Sequence, residues 1–292
     1  MESARALGGK LSGIVELIKF EHSIFALPFA MMSLFMVYGG LPDLKKTLWI
    51  ILCMVCARSA SMSFNRIVDF SYDLRNPRTS ARPLQSGRVT VREAWLFTIL
   101  MSLLFILSAA MLNRVAFILS FAVLPLLLGY SYTKRFTFLS HLILGFTLGC
   151  SPIAVWIAVR EGISSVSVLL CIGVTFWVAG FDIFYAMQDT DFDRRERLMS
   201  IPARFGTRAA LEAALVFHII TLIFFVLAGM AGRMGFVYYL GLALIFFFLF
   251  YEHLTVRKYG LSRINMAFFT MNGVVSIAFF LFSVADILIR GR

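Results

Sequence analysis

Charge is scarce in this chain, and acidic charge most of all. Asp and Glu together number 16 in 292 residues, and charged residues of both signs make up 15%, where a water-soluble domain carries about a quarter. With 60% of the residues hydrophobic, that shortage excludes a soluble globular fold. Cysteine is rare too. All four (Cys53, Cys56, Cys150 and Cys171) fall within apolar stretches, where they act as small hydrophobes. Cys53-x-x-Cys56 lacks the βαβ surroundings of a redox motif. Proline is limited to seven residues, so long helices can run unbroken, and no polar stretch is long enough to form a soluble domain.

What the chain has instead is apolar runs of about 18 to 25 residues, the length that crosses the hydrocarbon of a bilayer. They lie near 23–40, 47–68, 93–112, 115–132, 138–158, 164–188, 209–231, 236–255 and 266–289. The expected class is therefore all-α: an integral membrane protein of about nine transmembrane helices, forming a single domain over 1–292. The first run lacks a small-residue cleavage site and follows Glu16, Lys19 and Glu21, so it reads as a retained span and not a signal peptide. Pro28, Pro125 and Pro152 lie inside proposed spans and are expected to bend them.

The net charge of +11 could suggest nucleic acid, but in a chain of many spans it is better explained by orientation. With the N-terminus inside, the inner segments hold eighteen basic residues: three before the first span, then Arg75, Arg78, Arg82, Arg88, Arg92, Lys134, Arg135, Arg194, Arg195, Arg197, Arg204, Arg208, Arg257, Lys258 and Arg263. The outer segments hold seven: Lys45, Lys46, Arg114, Arg160, Arg233, Arg290 and Arg292. That bias predicts an N-terminus inside and a C-terminus outside.

Two inner loops, 65–92 and 182–208, gather most of the polar residues. Asp69 and Asp73 in the first, like Asp189 and Asp193 in the second, are four residues apart, which on a helix stacks the carboxylates on one face. Like charges so placed repel and call for a cation. Hard oxygen ligands suit Mg²⁺, which takes one or two carboxylates and completes its shell with water and phosphate oxygens. Two such pairs, each ending an even-numbered span, suggest duplicated halves. Following each face inward leads to Arg58 above Asn65, and to Asp182 above Asp189 with Tyr185 between. Ionisable residues at that depth mark a substrate path, the alternative being a simple Arg58–Asp182 ion pair between helices. Arg78, Arg82, Lys134 and Arg135 add positive charge suited to a phosphate ester. Arg78 and Arg82 sit in a turn fixed by Asn76-Pro77 and Pro83. The four histidines, His22, His141, His218 and His253, have no metal-ligand spacing and read as structural. A transporter also uses intramembrane charge and paired halves, but there the charges gather at mid-membrane, not in long loops at one face.

These motifs resemble the UbiA superfamily of membrane aromatic prenyltransferases. Asn65-x-x-x-Asp69-x-x-x-Asp73, with Asn76-Pro-Arg-Thr and Arg82-Pro-Leu-x-Ser-Gly87, looks like its first signature. Tyr185-Ala-x-x-Asp189-x-x-x-Asp193 looks like its second, and Tyr130-Ser-Tyr-Thr-Lys134-Arg135 like its loop between spans four and five. Arg66 stands where the usual first signature has a further Asp, which is similar to a branch of 4-hydroxybenzoate polyprenyltransferase-like enzymes that includes menaquinone enzymes of the futalosine route.

The resemblance implies helices around a central cavity, capped by the two cytoplasmic-side loops of a multi-pass inner-membrane enzyme. It implies Mg²⁺ held by Asn65, Asp69, Asp73, Asp189 and Asp193, and a polyprenyl diphosphate contacted by Arg78, Arg82, Lys134 and Tyr130. The acceptor would be a hydroxylated aromatic acid, 4-hydroxybenzoate or a dihydroxynaphthoate, met by Arg58, Arg135, Asp182 and Tyr185, with Asp191 as proton acceptor. The implied partners are those two substrates and the lipid bilayer, with no nucleic acid and no obligate protein partner.

Overall fold

The computed structural model describes residues 12–18, 26–260 and 271–291, and among the described residues all regular structure is helical. In chain order the helices are α1 (Leu27–Tyr38), α2 (Leu44–Val68), α3 (Phe70–Arg75), α4 (Val91–Ala110), α5 (Arg114–Gly129), α6 (Ser140–Gly149), α7 (Ser151–Arg160), α8 (Ser165–Ala186), α9 (Thr190–Arg195), α10 (Ile201–Ala231), α11 (Phe236–Tyr259) and α12 (Asn272–Arg290). Short 3-10 turns, Tyr130–Arg135 and Met187–Asp189, follow α5 and α8. Eight helical stretches among the described residues are long and apolar enough to cross a membrane, and α1 is a ninth, shorter apolar helix. The expected integral membrane class therefore holds. Residues 23–25 and 266–270 of the first and last proposed spans, with Lys19, Glu21, His22 and Arg263, lie outside the described residues.

One expectation is corrected, and two are refined. Pro28 occupies the first turn of α1 and bends nothing, because an N–H there has no intrahelical partner to lose. The fifth span is interrupted at Cys150, between α6 and α7, just before Pro152, as a proline inside a span leads one to expect. The seventh span starts close to where the sequence puts it: Ser200 caps a short helical piece from Ile201, and Gly206, at φ 84°, separates that piece from the long part of α10. Positive φ there is open to glycine at no steric penalty. Pro125 does lie within α5.

The chain divides into two compact units, Met1–Ser23 with Trp49–Tyr132 and Ile24–Leu48 with Thr133–Arg292. In the first, α2 is stitched to its neighbours by small side chains: Ser61 Oγ donates to the Leu127 carbonyl (2.7 Å) and Ser63 Oγ to that of Ala94 (3.1 Å). Small polar residues let membrane helices approach closely and hydrogen-bond across the gap. Leu17, Leu84, Val89 and Ala94 form a small core under the loop before α4. Arg88 adds a bidentate pair to Glu16 at 2.7 and 2.8 Å. α5 buries only Ser120 and exposes Phe117, Ile118 and Phe121, as a lipid-facing helix should.

In the second unit, α8 is the axis. Fourteen of its 22 residues are buried, and Trp177 and Phe181 join Phe29, Phe225, Tyr238 and Phe279 in one core. Gly145 and Gly149, one turn apart on α6, lie directly on α8. A Cβ at Gly145 would stand 2.2 Å from the Thr175 carbonyl oxygen, and one at Gly149 2.7 Å from that of Cys171. This is small-xxx-small packing, in which backbone meets backbone.

Gly145→Ala should therefore lower the thermal midpoint of the detergent-solubilised protein, at a cost of about 1–3 kcal/mol for overpacking against a backbone that has no rotamer to yield. Gly129→Ala, where an added Cβ meets nothing within 4 Å, should leave the midpoint unchanged or raise it. Equal behaviour of the two variants in a melting experiment would refute this account of the α6–α8 contact.

Candidate active site

The first polar constellation grows from the end of α2. The helical hydrogen-bond pattern continues past its last residue, Asp69 N–H donating to Asn65 O (2.9 Å) and Asp73 N–H to Asp69 O (2.8 Å). Asn65, Asp69 and Asp73 thus follow one another at successive turns, as their spacing predicts. Asn65 Nδ2 donates to Asp69 Oδ2 at 3.3 Å. Asp73 Oδ2 accepts from Arg82 Nη1 at 2.6 Å and lies 3.9 Å from Arg66 Nη1. Asp69 and Asp73 are buried, at 4% and 7% exposure, so these carboxylates depend on such partners.

The loop that follows is built to deliver Arg82. Asn76 Oδ1 accepts from the Arg78 N–H (3.0 Å), an Asx-type turn. Thr79 Oγ1 donates to the Asp73 carbonyl (2.8 Å), and the Arg82 N–H donates to the Thr79 carbonyl (3.1 Å). Arg78 is exposed while Arg82 is drawn inward. Deeper along α2, Arg58 is half-buried, its Nε shut off from solvent and without a hydrogen-bond partner. Tyr130 stands within electrostatic reach of Arg58, Arg66 and Asp69, and its hydroxyl bonds to Ser61.

The second constellation spans the end of α8, α9 and the start of α10. Asp182 Oδ2 lies 2.7 Å from His141 Nδ1, and His141 Nε2 accepts from the Ile201 N–H at 3.3 Å. With Nε2 an acceptor, Nδ1 carries the proton and donates to Asp182. One imidazole therefore ties α6, α8 and α10 together. Asp182 thus has a partner on α6. This pairing also fits the structural reading of His141. His218 and His253 pair with each other at 3.0 Å, and His22 lies outside the described residues.

Asp193 is buried, and its Oδ2 accepts from the Ser200 hydroxyl at 2.8 Å. Ser200 Oγ in turn accepts from the Ala203 N–H as the cap of α10. Asp193 lies within electrostatic reach of Lys134, Asp189 and His141. The Lys134 carbonyl accepts from the Met199 N–H at 2.6 Å, which pins the Lys134–Arg135 turn to the loop before α10. Tyr185 packs against the aromatic core, and Asp191 is exposed two residues before the buried Asp193. Three participants escaped sequence reading: Arg66, His141 and Ser200. A buried Arg amid a run of acids was the available signal for the first, whereas nothing local marks the other two.

The donor set fits Mg²⁺. The candidate ligands are carboxylates and one amide, with no thiolate or imidazole among them. Among the described residues no three His, Cys, Asp or Glu side chains converge as a closed metal cage.

Comparison with known proteins agrees with this chemistry. The model of the UbiA prenyltransferase family matches residues 26–282. A 4-hydroxybenzoate octaprenyltransferase of Pseudomonas aeruginosa is 30% identical over 259 residues, covering 88% of this chain and 86% of its own. One from Actinobacillus pleuropneumoniae is 33% identical over 233 residues, covering 78% and 79%. Among solved structures, an apo UbiA homolog from Aeropyrum pernix K1 superposes with a TM-score of 0.83 at 34% identity, covering 92% of this chain and 98% of that one. A UbiA homolog from Archaeoglobus fulgidus bound to GPP and Mg²⁺ gives 0.70 at 21% identity, covering 94% and 99%, and so shares the fold. This chain belongs to the UbiA prenyltransferase family and is a membrane-embedded prenyltransferase.

Proposed function

We propose that the protein transfers a polyprenyl group from its diphosphate to a ring carbon of a hydroxylated aromatic acid, 4-hydroxybenzoate ahead of a dihydroxynaphthoate, in quinone biosynthesis. The observation that carries this reading is the buried acid–guanidinium cluster of Asp69, Asp73 and Arg82 at the end of an apolar helix. The printed activity of the relatives at 30–33% identity supports 4-hydroxybenzoate as acceptor. We read the whole chain as one catalytic domain in the inner membrane, its two polar loops on the cytoplasmic side.

Asn65, Asp69, Asp73, Asp189 and Asp193 would hold Mg²⁺ together with the donor's diphosphate oxygens. Bound Mg²⁺ supplies neutralisation of the charge that develops on the leaving diphosphate. Arg78, Arg82, Lys134 and Tyr130 donate to phosphate oxygens, and their charge and hydrogen bonds strengthen as the allylic C–O bond breaks. The C–O electron pair leaves with the diphosphate, and the allylic carbon bonds to the ring carbon ortho to the phenolic hydroxyl. Loss of the ring proton, to Asp191 or to the departing diphosphate, restores aromaticity. Arg58 and Arg135 hold the acceptor's carboxylate. Tyr185 lines its ring, and Asp182, steadied by His141, completes that side.

A direct test is transfer from a labelled polyprenyl diphosphate to 4-hydroxybenzoate in detergent, with Mg²⁺ or with chelator. Product should form only with the metal, and Asp69→Asn should lower the rate by about 10²–10³-fold, the usual size of a lost electrostatic contact at a reacting charge. Metal-independent transfer, or none from a folded sample to 4-hydroxybenzoate or to a dihydroxynaphthoate offered in its place, would overturn the reading.

Arg58→Ala should raise the acceptor KM by about 10–150-fold, corresponding to the loss of a charged hydrogen bond of about 1.5–3 kcal/mol. Release of diphosphate from the donor in the absence of acceptor should persist in that variant. Normal acceptor affinity would remove Arg58 from the acceptor site.

A further inference from the structure

Asp73 meets two guanidinium groups at one oxygen, Arg82 at 2.6 Å and Arg66 at 3.9 Å. All three side chains are largely shielded, at 16% exposure for Arg82, 9% for Arg66 and 10% for Asp73. Two permanent cations beside a carboxylate repel a divalent ion that approaches it, and the repulsion grows as water is excluded. The arrangement is built: Thr79 ties the loop to the Asp73 carbonyl and accepts the Arg82 N–H, so that Arg82 is carried back onto the acid nine residues before it. Arg66, on the last turn of α2, approaches from the helix itself.

Guanidinium binds phosphate oxygens as readily as carboxylate, with matching bidentate geometry. An arriving diphosphate can therefore take over both groups and leave Asp73 to a metal ion. We propose that Arg66 and Arg82 guard Asp73 in the ligand-free enzyme, so that a divalent cation enters the first acidic motif only together with the donor's diphosphate. This rests on the reading of Asp73 as a metal ligand given above. It assigns Arg66 a positioning role: it blocks the metal when the site is empty and turns to phosphate when the donor is present. Metal and diphosphate are then coupled ligands, each raising the other's affinity by the same factor.

The test uses the full chain in detergent with Mn²⁺ as probe, followed by water-proton relaxation, which reports metal held by protein and not by free pyrophosphate. Pyrophosphate should raise the protein's affinity for Mn²⁺ by about 5–150-fold, the usual range of coupling between ligands. Arg66→Gln and Arg82→Gln should each raise the affinity for Mn²⁺ alone, by at least about fivefold on the same scale. A purely structural ion pair would lower thermal stability in these variants without improving metal binding. Wild-type affinity for Mn²⁺ that is unchanged by pyrophosphate, in a sample that still transfers prenyl groups, overturns the guard and leaves the proposed function standing. Unchanged Mn²⁺ affinity in both variants also overturns the guard. No Mn²⁺ bound under any condition, together with no transfer, removes both.

Discussion

Every structural choice around the polar loops follows from the difficulty of burying a carboxylate at the end of an apolar helix. An isolated ionised acid in such a place is far less stable than in water, so it must be paired or richly hydrogen-bonded. Asp73 is paired with Arg82. Asp193 is bonded to Ser200, Asp182 to His141, and Glu252 to Asn272. Asp286 meets the same demand differently, accepting the Gly235 and Tyr238 N–H groups at the start of α11, where the helix dipole favours negative charge. The short helices α3 and α9 and the 3-10 turns are the backbone that brings these partners within reach.

That polar chemistry needs a rigid frame, and the frame is made from small residues. Gly145 and Gly149 let α6 lie on the backbone of α8, and Ser61 and Ser63 let α2 bond to the carbonyls of α5 and α4. Lipid offers no hydrophobic drive for helices to associate, so close van der Waals contact and hydrogen bonds across the gap hold them together. The alignment of α6 with α8 also sets the His141–Asp182 bond, which in turn fixes the first turn of α10 through the Ile201 N–H. Packing at two glycines thus bears on the geometry of acids that lie far along the sequence from them.

The spans were legible because hydrocarbon imposes one simple rule on a sequence, a run of apolar residues of the right length. The four-residue spacing of the acids was legible for a related reason, since a helical repeat puts such residues on one side. Less visible were the places where the backbone departs from a straight helix. Pro28 reads as a bend until its place in the first turn of α1 is known. Gly206 reads as an ordinary helical glycine, and only its positive φ shows that the loop's end and α10 are separate pieces. Arg66 and His141 could not be assigned partners from spacing alone, because their partners come from the return of a loop or from another helix. The motif named the candidate residues, and the tertiary contacts told which of them are already engaged.

If the two pairs of acids hold a metal as proposed, they leave room in its shell for substrate oxygens. A structural metal site is complete when the protein folds, with three or four protein ligands and no vacancy. Here the described residues offer no such cage, and Asp73 is already held by guanidinium groups. An oxygen-seeking ion with an incomplete protein shell gains its missing ligands from the substrate's own phosphate oxygens. Under the proposed function, the charge that must be neutralised in the transition state is the charge that recruits the neutralising ion. An enzyme built this way is spared a permanent cluster of bare carboxylates beside the bilayer, where their repulsion would be strongest.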